Sequence, residues 1–97
     1  MKIIKETIIK NYNLLLKKGM NLGSEGNISI KFKEKIFITP SGIDIKNLKT
    51  ENISVIDFEG NVKNGVKPSS EVDLHLLIYK KRKEVNSIVH CHSDWAS

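Results

Sequence analysis

The sequence predicts a small α/β domain. Three observations carry that expectation. An apolar stripe at helical spacing opens the chain, short runs alternating apolar and polar residues fill its middle, and a second amphipathic run folds back into a final apolar strand. At 97 residues the chain has room for one domain, with a core near the lower end of comfortable size. A hydrophobic fraction of 39% and a charged fraction of 28% describe an ordinary soluble globular protein.

Composition also excludes some function classes. No apolar run approaches the ~20 residues that a membrane span needs, so no membrane partner is expected. Met1-Lys2-Ile3-Ile4-Lys5-Glu6 lacks the uncharged core and small-residue cleavage site of a secretory signal. The lone Cys91 cannot form an internal disulfide, which fits a reducing compartment. The expectation is a cytoplasmic protein. The net charge of +5 reads either as attraction to anions or as a solvated lysine surface. Fifteen of the sixteen basic residues are lysine, Arg82 being the exception, and they are scattered along the chain. Nucleic-acid sites use arginine forks or stacking rings, so no nucleic-acid partner is expected, only weak steering of phosphates.

Residues 3 to 18 form the first helix, with Ile4, Ile8, Tyr12, Leu15 and Leu16 on its apolar stripe and Gly19 as its stop. The segment Asn21-Leu22-Gly23-Ser24-Glu25-Gly26-Asn27-Ile28-Ser29 reads in two ways. It is either a plain helix-to-strand connection or a loop whose N–H groups cradle an anion, with Asn27 and Ser29 adding side-chain donors. Ile28, Ile30 and Phe32 alternate with Ser29 and Lys31, as in a half-buried strand. Lys33-Glu34-Lys35 makes a charged turn into a second strand at Ile36 to Ile38. Pro40 should stop that ladder, leaving the Ser41 hydroxyl and the Gly42 N–H at a strand end. A polar connector with one helical turn near Leu48 leads to a third strand at Ile53 to Phe58. Glu59-Gly60-Asn61 is a hairpin turn into a short fourth strand at Val62 to Asn64.

The stretch from Pro68 to His92 holds the chemistry. Ser69 or Ser70 can cap a helix, with Asp73 at capping-box spacing from Ser70. The free N–H groups and hydroxyls of such a start either cap the helix only or also bind an anion. Val72, Leu76 and Tyr79 continue at helical spacing, and Lys80-Lys81-Arg82-Lys83 suits the negative helix end. A histidine within a helix, as His75 is here, reads as a structural hydrogen-bonder. Val85 to His92 is a strand, so His90 and His92 share a face and Cys91 points opposite. Two imidazoles side by side suit zinc, although a chance His-x-His reads the same.

Gly26-Asn27-Ile28-Ser29, Thr39-Pro40-Ser41-Gly42, Pro68-Ser69-Ser70-Glu71 and His90-Cys91-His92 occur in the order and spacing of the class II aldolase/adducin family, which the chain resembles from its first helix to its C-terminus. The resemblance implies a three-layer α/β/α fold around a mostly antiparallel central sheet, usually in a homotetramer. It implies that Asn27, Ser41, Gly42, Ser69 and Ser70 bind a substrate phosphate. His90 and His92 would be zinc ligands, and Glu71 would be the acid/base and a further candidate for the metal. The implied partner is a small-molecule sugar phosphate. The implied reaction is zinc-dependent cleavage of a sugar phosphate such as L-fuculose 1-phosphate to dihydroxyacetone phosphate and an aldehyde. The family also contains a pentulose-phosphate 4-epimerase, a methylthioribulose-phosphate dehydratase and adducin-like assembly modules. The family's third zinc histidine lies well beyond His92, so residues 1–97 read as the N-terminal portion of such a domain, truncated after the zinc-ligand strand. An assembly module has no need of Glu71, His90 and His92, and their presence favours an enzyme.

Overall fold

The structure, a computed structural model, describes residues 2–18, 26–41 and 48–90. Helix α1 (Lys2–Lys17) leads to strands β1 (Asn27–Phe32) and β2 (Lys35–Ile38). A one-turn 3-10 helix at Thr50–Asn52 precedes β3 (Ser54–Asp57), and helix α2 (Val72–Lys81) precedes β4 (Ser87–His90). The strands form one sheet in the order β3-β2-β1-β4, with every neighbouring pair antiparallel.

The two helices cover opposite faces of that sheet. Strand side chains alternate between faces, and the core divides accordingly. Ile8 and Tyr12 of α1 pack with Ile28, Phe37, Ile53 and Val55, with Ile4 and Leu15 beside them. Leu76 and Tyr79 of α2 pack with Ile36 and Ile56, flanked by Phe58, Val72, Val85 and Ile88. Phe37 thus faces α1 while its neighbour Ile36 faces α2. Each fully buried Ile or Phe contributes about 1.5–3 kcal/mol, and both layers depend on such side chains. The result is the three-layer α/β/α arrangement with an antiparallel sheet.

The predicted elements recur with altered ends. α1 keeps the stripe through Ile4, Ile8, Tyr12 and Leu15; its expected stop, Gly19, lies outside the described residues. The β1–β2 turn is two residues long, because Phe32 pairs with Lys35. Lys33 takes a left-handed φ of 57° there. The expected fourth strand at Val62 reduces to an isolated bridge with Ile56. Asp57 explains the tight turn before it. Its carboxylate accepts the N–H groups of Glu59 (3.0 Å) and Asn61 (2.8 Å) and pairs with Lys63 (3.3 Å). The bond from the Asn61 N–H is the main cause holding Asp57 below the usual carboxylate range.

Candidate functional site

Three segments meet at the end of the sheet where β1 begins. Thr39, just past β2, ties to β1 twice: its N–H donates to Ile28 O (3.0 Å), and its Oγ1 accepts the Ile28 N–H (3.3 Å). On its other side the chain runs against the approach to α2. Ser41 N–H donates to Lys67 O (3.1 Å), and Ser69 N–H donates to Thr39 O (3.0 Å). Pro40 and Pro68 stand opposite each other between these bonds. Neither proline has an N–H, so the serines on either side supply the donors. Asn27, Ser41 and Ser69 are thereby held in one neighbourhood, with Ser70 next along the chain. Gly42 lies outside the described residues.

The entry to α2 aims Glu71. Ser69 Oγ accepts the Glu71 N–H (3.2 Å), and Ser69 O accepts the Val72 N–H (3.0 Å). That turn makes Glu71 the N-cap residue, without a side-chain cap. The capping box expected between Ser70 and Asp73 therefore does not form. Its physical reason is that the Ser69 hydroxyl has already taken the first N–H, and Ser70 is left exposed. Released from capping, the Glu71 carboxylate reaches β4, where its Oε2 lies 2.8 Å from His90 Nδ1. Both side chains are about a third exposed, at 35% and 34%. His90 in turn sits opposite Asn27 in the β1–β4 ladder. Among the described residues no group of three or more His, Cys, Asp or Glu side chains gathers as a metal site; His92 lies outside them.

Behind Asn27 lies a group that the sequence did not reveal. His75 and Ser29 are fully buried. Ser29 Oγ lies 2.6 Å from His75 Nδ1 and 2.8 Å from the Tyr79 hydroxyl. The second ring nitrogen, His75 Nε2, meets Asn27 Oδ1. Burial pushes the His75 pKa down to about 4, partly opposed by the nearby Glu71 carboxylate and reinforced by His90. Burial likewise pushes Tyr79 up to about 12, against its bond to Ser29. The expectation that His75 is structural holds, whereas Ser29 is no anion donor, being sealed beneath α2. The one available signal was the spacing of His75 and Tyr79, which puts both on one helix face.

A sheet sandwiched between two helices, with the Glu71 carboxylate and the His90 imidazole meeting at its end, defines the class as an α/β/α domain. Residues 6–97 match the Class II Aldolase and Adducin N-terminal domain family, and the chain belongs to it. It is 44% identical over 89 residues to the L-fuculose phosphate aldolase of Methanocaldococcus jannaschii, covering 92% of this chain and 49% of that protein. It is 37% identical over 92 residues to the 3-oxo-tetronate 4-phosphate decarboxylase of Haemophilus influenzae, covering 94% and 44%. A solved L-fuculose 1-phosphate aldolase superposes with a TM-score of 0.89 at 38% identity, covering 96% of this chain and 45% of its own. The chain spans about half the length of the curated relatives it matches. No helix among the described residues is long and apolar enough to cross a membrane.

Proposed function

We propose that residues 1–97 are the N-terminal portion of a zinc-dependent class II sugar-phosphate aldolase, a cytoplasmic homo-oligomer that cleaves a substrate such as L-fuculose 1-phosphate. The contact between Glu71 and His90, 2.8 Å apart and beside Asn27 in the sheet, is the observation that supports this most directly. An oxygen and a nitrogen donor that converge and stay partly open to solvent are the kinds that catalytic zinc takes. His90 and His92 would hold the metal, with Glu71 either joining them or fixing His90 through Nδ1. Zinc, when bound, supplies a Lewis acid for the oxygens where negative charge collects during carbon–carbon cleavage.

The chain's own groups do the rest. Asn27, Ser41, Gly42, Ser69 and Ser70 would bind the phosphate and orient the sugar. The Ser69 hydroxyl accepts from Glu71 N–H and keeps its own proton as a donor for an anion. Glu71 would carry the proton to and from the carbon next to the carbonyl, so that the carbanionic charge left by loss of the aldehyde is quenched and dihydroxyacetone phosphate departs as the ketone. The likeness to a decarboxylase over the same residues favours a second reading, in which the same corner serves another reaction of a sugar-phosphate acid. An aldol-cleavage assay on L-fuculose 1-phosphate, run on the whole protein that contains residues 1–97, with zinc present and after chelation, tests the proposal. Cleavage that needs zinc and falls at least about a hundredfold in Glu71→Gln supports it. Cleavage indifferent to both would refute it.

A further inference from the structure

With Asn27 Oδ1 set against His75 Nε2, each hydrogen bond around His75 takes one direction. Oδ1 of Asn27 has no proton, so His75 Nε2 must carry one and donate it. A neutral imidazole has a single N–H, so Nδ1 must accept, and the Ser29 hydroxyl at 2.6 Å must donate to it. Ser29 has then spent its proton, so the Tyr79 hydroxyl at 2.8 Å donates to Ser29 Oγ. With Asn27 turned so that its Oδ1 meets His75 Nε2, the bonds run from Tyr79 to Ser29 to His75 to Asn27.

We propose that His75 is a positioning residue: by donating Nε2–H to Asn27 Oδ1 it fixes the Asn27 amide in one flip, so that the end turned to a phosphate is the nitrogen. This rests on the reading of Asn27 as a phosphate contact. An amide in the opposite flip would set an oxygen lone pair against the phosphate oxygens and repel them. The amide nitrogen carries two donors, so it can keep a protein partner and still serve an anion. Fixing the flip beforehand removes the cost of ordering Asn27 on binding. His75 being held neutral by burial, with a pKa near 4, keeps this arrangement intact at physiological pH.

Nitrogen-15 NMR of the labelled protein gives a test that needs no ligand. Pyrrole-type Nε2 and pyridine-type Nδ1 shifts for His75 at neutral pH are expected, and the reverse tautomer overturns the inference. Titration with inorganic phosphate, followed at the Asn27 side-chain amide, gives the second arm. His75→Leu should weaken phosphate binding about tenfold or more, in line with other residues that act through a neighbour. His75→Gln, whose amide can offer an N–H near the place of Nε2, should restore most of it. Unchanged affinity in a folded His75→Leu protein overturns the inference. Should the wild-type protein ignore phosphate while showing the expected tautomer, the phosphate cradle itself falls and carries the inference with it. The reverse tautomer beside intact phosphate binding overturns the inference alone.

Discussion

Asn27 and His90 face each other across the β1–β4 ladder, the first residue of one strand against the last of the other. Cross-strand partners share a face, so this pairing alone sets the candidate phosphate contact beside the candidate metal ligand. A slip of one residue would turn His90 to the α1 side and dissolve the site. In the whole protein that contains residues 1–97, His90→Ala should therefore lower the proposed cleavage by at least about a hundredfold while shifting stability by less than about 1 kcal/mol, since the side chain is one-third exposed. Paired activity assays and urea melts check this; a large stability loss would mean His90 is structural.

The buried histidine makes stability depend on acid. His75 has an ordinary value of 6.5 when unfolded and about 4 when folded. Between those limits the unfolded chain binds a proton that the folded chain refuses. Stability should thus fall as pH drops from about 6.5 toward 4, by up to ~1.4 kcal/mol per pH unit from this group. Urea denaturation at a series of pH values should show a shallower slope in His75→Gln than in the wild type. Equal slopes would show that His75 is not held neutral.

Removing the Tyr79 hydroxyl tests the link beneath the sheet. Tyr79→Phe keeps the packing against Ile36 and Ile56 but deprives Ser29 of its donor. The expected loss is about 0.5–1.5 kcal/mol, the net worth of one buried hydrogen bond. Calorimetric melting checks it, and an unchanged midpoint would mean the two hydroxyls do not pair.

A gain is expected at the β1–β2 turn. Lys33 holds a left-handed φ of 57°, a region where a Cβ is strained and glycine is not. Lys33→Gly should raise stability by roughly 0.5–1 kcal/mol, or a few degrees in melting temperature. A lower melting temperature would show that the Lys33 ammonium, 5.5 Å over the Phe32 ring, matters more than the backbone.

Residues 1–97 produced alone should bind zinc weakly and cleave little substrate. His75 has both ring nitrogens engaged by Asn27 and Ser29, so it is not a third metal ligand in place of the one the family resemblance implies. Losing even an outer partner of a metal site costs ~10–100-fold. Zinc titration calorimetry of this segment beside a full-length relative checks the point; equal affinity would contradict it.

Much of the architecture was legible. The stripe through Ile4, Ile8, Tyr12 and Leu15 and the alternation at Ile28 and Ile30 each named the correct buried face. Glu71 and His90 were legible as a helix start and a strand end because those patterns are local. Ser29 was not. Alternation marks it as solvent-facing, since polarity is read one residue at a time. Its burial depends on His75 and Tyr79, far along the chain, which satisfy the hydroxyl that water would otherwise hold. A polar group that finds its partner only after folding carries the same local signature as a surface residue.

The directed run from Tyr79 to Asn27 also constrains how this sequence can drift. Each member donates to the next, so any single replacement strands a buried donor or acceptor, whereas removing both members of a pair costs far less. Positions 29 and 79 should therefore tolerate joint replacement by Ala and Phe better than the sum of the single changes allows. Neutral evolution through this part of the domain must pass by paired steps, and Ser29 and His75, each bonded on both sides, are the members least able to take one.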